Sequence, residues 1–238
     1  MKDLCMPKQH GAWAMVIIPF WLGVAASGFT WAHIPFFMGW LLLYLATYPM
    51  LMLFKRKKIQ YYRKWTLIYF VPAILLLIIP FLYRPDIILF GLIMIPFFAV
   101  NAYFSAKKQD RALGNDLSAI AVFSIAGLAS AFLPQGEINE MAILICITSF
   151  LFFTGCTFYV KTMVREKKNL TYKRVSWGYH ILIVLLWAIF REWLIAIALI
   201  PSLIRAFYFY GKGLTMKKLG ILEIVNAAIF FVVMLIKI

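Results

Sequence analysis

Nine predominantly apolar runs, each about the length a helix needs to cross a bilayer, succeed one another along this chain with little between them. Inside hydrocarbon every backbone N–H and C=O must be satisfied within the protein, and runs of this length and continuity suit helices. The runs cover residues 12–28, 33–54, 66–83, 86–105, 116–133, 141–160, 176–190, 192–210 and 220–236. Charge and proline break them. Lys55-Arg56-Lys57-Lys58 stops the second run, and Arg84-Pro85-Asp86 parts the third from the fourth. Only Arg191-Glu192 separates the seventh from the eighth, which reads as a helical hairpin with a very short turn. The expected fold is an all-α polytopic membrane protein, one transmembrane domain over residues 1–238. A 64% share of hydrophobic residues against 14% charged, with a mean hydropathy of +0.89, excludes an ordinary soluble domain.

Successive breaks belong to opposite membrane faces. On that rule 21 of the 24 Lys and Arg fall on one face, in the N-terminus and in 55–64, 107–111, 161–174 and 205–218. Arg84, Arg191 and Lys237 fall on the other. Cytoplasmic loops retain Lys and Arg, so the N-terminus is expected inside and the C-terminus outside. A count wrong by one helix would scatter the cations over both faces, so the clean split supports the count as well as the orientation. The acidic 134–140 loop falls outside. The formal charge of +15 does not point to nucleic acid, because the cations lie in short loops between apolar runs and not on a soluble basic face. Charge in the first ten residues is followed by an apolar run that continues from Trp13 through Ala26 with no polar cleavage region, so the N-terminus is expected to be retained.

Residues 54–64 (FKRKKIQYYRK) and 164–174 (VREKKNLTYKR) share a pattern of cation, variable, Lys, Lys, three variable, Tyr, cation, cation. Basic juxtamembrane loops resemble one another by composition alone. The other explanation is a fold of two four-helix units plus a ninth helix, with the two loops facing each other across an axis along the membrane normal.

Candidate ligand-binding residues lie where the cytoplasmic helix ends converge, because polar groups at membrane depth are costly unless they pair or bind something. His10 stands in Lys8-Gln9-His10-Gly11-Ala12-Trp13; the plain reading is that Gln9 or His10 caps the first helix and Trp13 joins the interfacial aromatic belt. Asn101, Asp110, Arg111, Asn115 and Asp116 surround the break between the fourth and fifth runs, with Asn115-Asp116 reading as an N-cap before Leu117. Lys161, Arg165 and Glu166 follow the sixth run, and a continuing helix would set Lys161 and Arg165 on one face, suited to an anionic headgroup or diphosphate. Positive-inside retention explains those cations equally well. Deeper in the bilayer, Glu223 and Asn226 share a face of the ninth run, and Arg205 near the end of the eighth is an intramembrane partner for Glu223. Cys5, Cys146 and Cys156 form no CxxC pair, and His10, His33 and His180 are dispersed, so neither a disulfide framework nor a metal site is indicated.

Three segments carry a family resemblance: Pro7-Lys8-Gln9-His10-Gly11-Ala12-Trp13-Ala14-Met15, Asn115-Asp116-Leu117-Ser118-Ala119-Ile120, and Phe158-Tyr159-Val160-Lys161-Thr162-Met163-Val164-Arg165-Glu166. Through them the chain resembles the YwiC-like membrane proteins over its whole length. That resemblance implies a prokaryotic plasma membrane and supplies no substrate. More distantly the chain is similar to the UbiA-type intramembrane prenyltransferases, which have nine helices, an inside N-terminus and active-site loops after the second and sixth helices. Those enzymes hold magnesium and a diphosphate on aspartate-rich motifs. Here the corresponding stretches read Tyr48-Pro49-Met50-Leu51-Met52-Leu53-Phe54-Lys55 and Tyr159-Val160-Lys161-Thr162-Met163-Val164-Arg165-Glu166, without the aspartates. Magnesium needs carboxylate oxygens, so a magnesium cofactor and conventional prenyl transfer are not supported.

Three functions fit these features. One is a cytoplasm-facing cavity that binds an anionic amphiphile, an anionic lipid or an isoprenoid phosphate. The second is a small secondary transporter with Glu223, Asn226, Asn101 and Arg205 along its pathway. The third is a membrane assembly or scaffold protein. The bilayer is a partner in all three, and no feature of the sequence fixes a reaction, a cofactor or an oligomeric state.

Overall fold

The computed structural model describes residues 5–7, 10–56 and 58–238, apart from the His10 side chain. Among the described residues the regular structure is helical: α1 (His10–Ser27), α2 (His33–Phe54), α3 (Ile59–Tyr83), α4 (Ile88–Ala106, led in by a single 3-10 turn at Pro85–Ile87), α5 (Leu113–Phe132), α6 (Glu140–Val164), α7 (Leu170–Ile189), α8 (Trp193–Tyr208) and α9 (Met216–Lys237). Six are long and apolar enough to cross a membrane, namely α2, α3, α4 with its lead-in turn, α5, α6 and α9. The apolar parts of α1 and α8 are shorter. α7 spends its first turns on Tyr172, Lys173 and Arg174. The chain is a multi-pass helical membrane protein.

Several helices outrun the apolar spans. α3 begins at Ile59 and not at 66, α7 at Leu170 and not at 176, α9 at Met216 and not at 220, and α6 continues past 160 to Val164. Apolarity marks the stretch lipid can cover, whereas the helix continues through Lys, Arg and Tyr, which are competent helix formers, until something caps it. Asn169 caps α7 by accepting from the Tyr172 N–H at 3.1 Å, and Thr215 caps α9 by accepting from the Lys218 N–H at 3.3 Å. One capping expectation is corrected. α5 starts at Leu113 after an extended Ala112, so Asn115 lies inside the first turn and its amide is engaged elsewhere. Asp116 does occupy the first turn, where the helix dipole favours a carboxylate.

The chain divides into two compact units, Met1–Cys146 and Ile147–Ile238, the division falling within α6. In the first unit α1 packs on α5, α2 on α3 and α4, and α4 on α5. Glycine sets the α1–α5 spacing: a Cβ at Gly127 would stand 2.7 Å from the Pro19 carbonyl oxygen, and one at Gly23 would strike the Gly127 carbonyl. The interior is aromatic, built from Phe20, Phe36, Trp40, Tyr44, Phe90 and Phe123. His33 Nε2 donates to the Ser130 carbonyl at 2.8 Å while Nδ1 accepts from the Thr30 N–H at 2.9 Å, which uses both ring nitrogens of the neutral form.

Contacts at its two ends show that this unit is threaded up and down. Arg84 Nη2 donates to the Pro134 carbonyl at 3.0 Å, and Asn139 Nδ2 donates to the Ala26 carbonyl at 3.1 Å, which gathers the α1–α2, α3–α4 and α5–α6 connections. At the other end Lys55 Nζ pairs with Asp110 Oδ2 at 2.6 Å, which joins the α2–α3 and α4–α5 connections.

In the second unit α7 packs on α8 and α8 on α9, while Phe152 of α6 stacks on Phe230 of α9 at 4.0 Å. α7 and α8 are joined by Phe190, Arg191 and Glu192 alone, with Arg191 at φ 63°. Lys237 pairs with Glu192 at 2.9 Å at that end, while the Tyr210 hydroxyl donates to the Lys167 carbonyl at 3.5 Å at the other. Basic connections therefore share an end within each unit.

Candidate functional site

Pairs of polar residues three apart on α6, α8 and α9 converge in the second unit. Cys156 and Tyr159, Ser202 and Arg205, and Glu223 and Asn226 each lie one turn apart on one helix face. Arg205 is 4% exposed and Tyr159 1%. Arg205 Nη1 donates to Glu223 Oε1, Nη2 donates to Cys156 Sγ at 3.2 Å, and the guanidinium lies 4.4 Å from the centre of the Tyr159 ring. Sulfur is a weak acceptor, and Nε has no partner among the described residues. The Tyr159 hydroxyl is also buried and unpartnered. Each buried donor left unspent costs about 1–3 kcal/mol.

Asn226 and Ser202 satisfy each other. Asn226 Nδ2 lies 2.9 Å from Ser202 Oγ, which in turn lies 3.2 Å from Asn226 Oδ1, and the same Nδ2 lies 4.0 Å from Cys156 Sγ, so this strap between α8 and α9 meets the ion pair at the shared sulfur. From α7, His180 Nδ1 lies 2.7 Å from the Ser176 carbonyl. A carbonyl only accepts, so Nδ1 carries the proton and the buried Nε2 is left as an unpartnered acceptor beside Gly155.

Toward the basic end Met163, Ala206 and Leu219 pack on Tyr159 in an apolar layer next to this centre, with Trp177 and Phe209 against it. Beyond that layer the cations rest on aromatic faces. Lys173 Nζ lies 4.3 Å from the Trp177 ring centre and 4.4 Å from that of Tyr210, and Lys212 Nζ lies 3.2 Å from that of Tyr208. Lys161 is half-buried in the last turn of α6, and its carbonyl accepts from both Arg165 N–H and Glu166 N–H at 2.9 Å. α6 ends at Val164, and the Arg165 N–H to Lys161 carbonyl bond sets Arg165 about one turn beyond Lys161. Glu166 Oε2 accepts from Asn169 Nδ2 at 2.9 Å.

In the first unit the basic end is a closed hydrogen-bonded knot. Asn101 Nδ2 donates to the Asn115 carbonyl and to Asn115 Oδ1, both at 2.9 Å, and Asn115 Nδ2 donates to the Asp110 carbonyl at 2.8 Å. Asp110 also holds Lys55, and Ser105 Oγ donates to the Leu51 carbonyl at 3.0 Å. Burial pushes the Cys5 thiol up, against a lowering contact with Tyr61.

Of the residues singled out in the sequence, the structure brings Asn101, Asp110 and Asn115 together in the first unit and Arg205, Glu223 and Asn226 together in the second. Arg111 is exposed and Asp116 half-buried beside the first group. The expectation for the His10 side chain lies outside the described residues. Sequence reasoning missed Lys55 as the partner of Asp110, and Cys156, Tyr159, Ser202 and His180 around Arg205. Arg205 itself was counted with the loop cations although it is buried between helices. A helical wheel of α6 would have flagged Cys156 and Tyr159, one turn apart; nothing local links Lys55 to Asp110.

Residues 6–131 match the family model described as YwiC-like protein. The uncharacterized protein YwiC of Bacillus subtilis (strain 168) is 44% identical over 234 residues, covering 98% of both chains. An uncharacterized protein of Haemophilus influenzae (strain ATCC 51907 / DSM 11121 / KW20 / Rd) is 39% identical over 233 residues, again 98% of both. No solved structure matches.

Proposed function

This chain belongs to the YwiC-like family, and from that premise we propose that it is a nine-span protein of the bacterial plasma membrane, N-terminus inside and C-terminus outside, that binds an anionic amphiphile at its basic cytoplasmic end. The observation that carries this reading is Lys173, held over Trp177 and Tyr210 where the α6–α7 and α8–α9 connections meet. Aromatic rings favour the headgroup level, and an ammonium parked on two of them has already lost the rotamer freedom that phosphate binding would otherwise cost. Lys161 and Arg165 stand at the neighbouring end of α6. The ligand class covers anionic lipids and isoprenoid phosphates. Prenyl transfer forms no part of the proposal, because the stretches 48–55 and 159–166 lack the aspartates that hold magnesium in the prenyltransferases.

Binding of lysophosphatidylglycerol to the purified protein in neutral-lipid nanodiscs tests it. Lys161→Ala, Arg165→Ala and Lys173→Ala are each expected to weaken binding about fivefold, the worth of one cation near an anionic surface. Unchanged affinity in all three removes the reading. A small secondary transporter is the second reading, favoured by the buried Arg205–Glu223 pair, and solute uptake by proteoliposomes separates the two.

A further inference from the structure

We propose that Arg205, Tyr159 and Glu223 form the seat of a singly charged oxyacid group, a phosphate diester or a carboxylate, which replaces Glu223 on Arg205 while Glu223 takes up a proton. This rests on the reading of the protein as a binder of an anionic amphiphile received at the Lys173 rim, and adds the deeper position to which the acid group then passes and what accompanies it.

Donor chemistry carries the argument. Arg205 makes one full-strength hydrogen bond, to Glu223, and one to sulfur, while its Nε is unpartnered, as is the hydroxyl of Tyr159, whose ring lies against the guanidinium; both side chains are more than nine-tenths buried. Two unspent donors beside a cation call for an acceptor-rich, negatively charged ligand, and the planar guanidinium fork matches two oxygens of one acid group. Glu223 holds that place as an internal stand-in. It is the more exposed partner, its side chain 11% exposed against 5% for Arg205, so it is the one able to turn aside. The Ser202–Asn226 strap keeps α8 and α9 together when it does. A metal cation fits poorly, since the pair offers one carboxylate already neutralised by arginine.

Charge balance supplies the proton. The centre lies next to an apolar layer, where a net charge is costly, and Arg205 with Glu223 sums to zero. An incoming monoanion keeps that sum only if Glu223 becomes the neutral acid. Apart from that proton transfer no covalent bond changes: the Nη1–H hydrogen bond passes from Glu223 to the ligand oxygen, and Glu223 takes up one proton from the bulk buffered solvent. The titratable and charged groups packed around the pair are Cys156 and Tyr159 from α6, His180 from α7 and Arg205 from α8, with Glu223 from α9. Glu223 is the carboxylate among them, so proton uptake coupled to anion binding is assigned to it.

The test uses the full chain in neutral-lipid nanodiscs with lysophosphatidylglycerol, a phosphodiester whose own charge is constant between about pH 5 and 8. Wild-type affinity is expected to tighten as pH falls, approaching about tenfold per unit where one proton is taken up per ligand. Glu223→Gln, which keeps an acceptor for Nη1, should still bind but lose that slope. Tyr159→Phe, which keeps the ring, should weaken binding about fivefold or more at every pH, as expected for loss of one hydrogen bond to a charged group. Competition by inorganic phosphate would identify a soluble anion as able to use the seat, and its failure would identify a lipid headgroup as the source; both support the seat. A pH slope that survives Glu223→Gln, or affinity untouched by Tyr159→Phe, overturns it. Binding that responds to Lys173→Ala but to neither of these leaves the basic rim standing and the buried seat refuted, whereas absence of any binding by the wild type refutes the amphiphile reading itself.

Discussion

The two units bury different things. In Met1–Cys146 the interior is a lattice of rings, the buried His33 has both nitrogens engaged, and the Lys55–Asp110 ion pair is kept at the end, where Asp110 is 39% exposed. In Ile147–Ile238 the interior holds Arg205, the one charged side chain in the buried set of described residues, together with donors that the protein does not use. Buried polar atoms without a partner occur in both units, at Tyr44, Thr66, Tyr69, Arg84 and Ser124 in the first as well as around Arg205 in the second, so the contrast rests on the buried cation and not on unspent groups alone. A buried cation inside a membrane calls for a counter-charge, and the second unit meets that need with Glu223.

The largest test of that difference is Glu223→Ala. Removing one partner of a buried ion pair leaves the other charge uncompensated, at about 3–5 kcal/mol. Thermal unfolding of the detergent-solubilised protein should show a loss of that order, and a negligible loss would mean that water already reaches Arg205 and that its burial has been misread. Next comes the steric contrast. Gly127→Ala in the first unit drives a methyl to 2.7 Å from the Pro19 backbone carbonyl, which cannot swing away, and should cost about 1–3 kcal/mol. Gly155→Ala in the second unit meets His180 Nε2 at 3.2 Å and Tyr179 Cε1 at 3.3 Å, longer approaches made to side chains and not to backbone, and should cost less. Equal costs measured in the same unfolding assay would erase the contrast between a tight lattice and a yielding centre.

How much of this the sequence carries depends on the range of the signal. The helices were legible from apolar length, since lipid admits few alternatives, and the hairpin at Arg191-Glu192 was legible because so little chain lies between two apolar runs. Helix ends were less so. Asn169 and Thr215 are cap residues by type, but an apolar window does not see helix that continues through Lys173, Arg174, Lys217 and Lys218. The i, i+3 spacing of Glu223 and Asn226 placed both on one face, and the cost of a lone buried charge pointed to Arg205. A helical wheel sets Cys156 and Tyr159 on one face of α6 but, as with His180, a polar atom on an apolar helix looks the same in sequence whether it faces lipid, a neighbour or a buried cation. Only packing distinguishes them.

The smallest expected effect is at Lys55 and Asp110, and it bears on whether the first unit is closed by its polar end or merely decorated there. The bond is short, 2.6 Å, but one partner is well exposed, and exposed pairs are worth about 0.2–1 kcal/mol after screening and side-chain entropy. A double-mutant cycle of Lys55→Ala and Asp110→Ala should return a coupling in that range and shrink as salt is raised. The Asn101–Asn115 bonds would hold the α4–α5 end in both single mutants. A coupling several times larger, insensitive to salt, would show that this end is as dry as the Arg205 centre, and the two units would then no longer differ in where they bury charge.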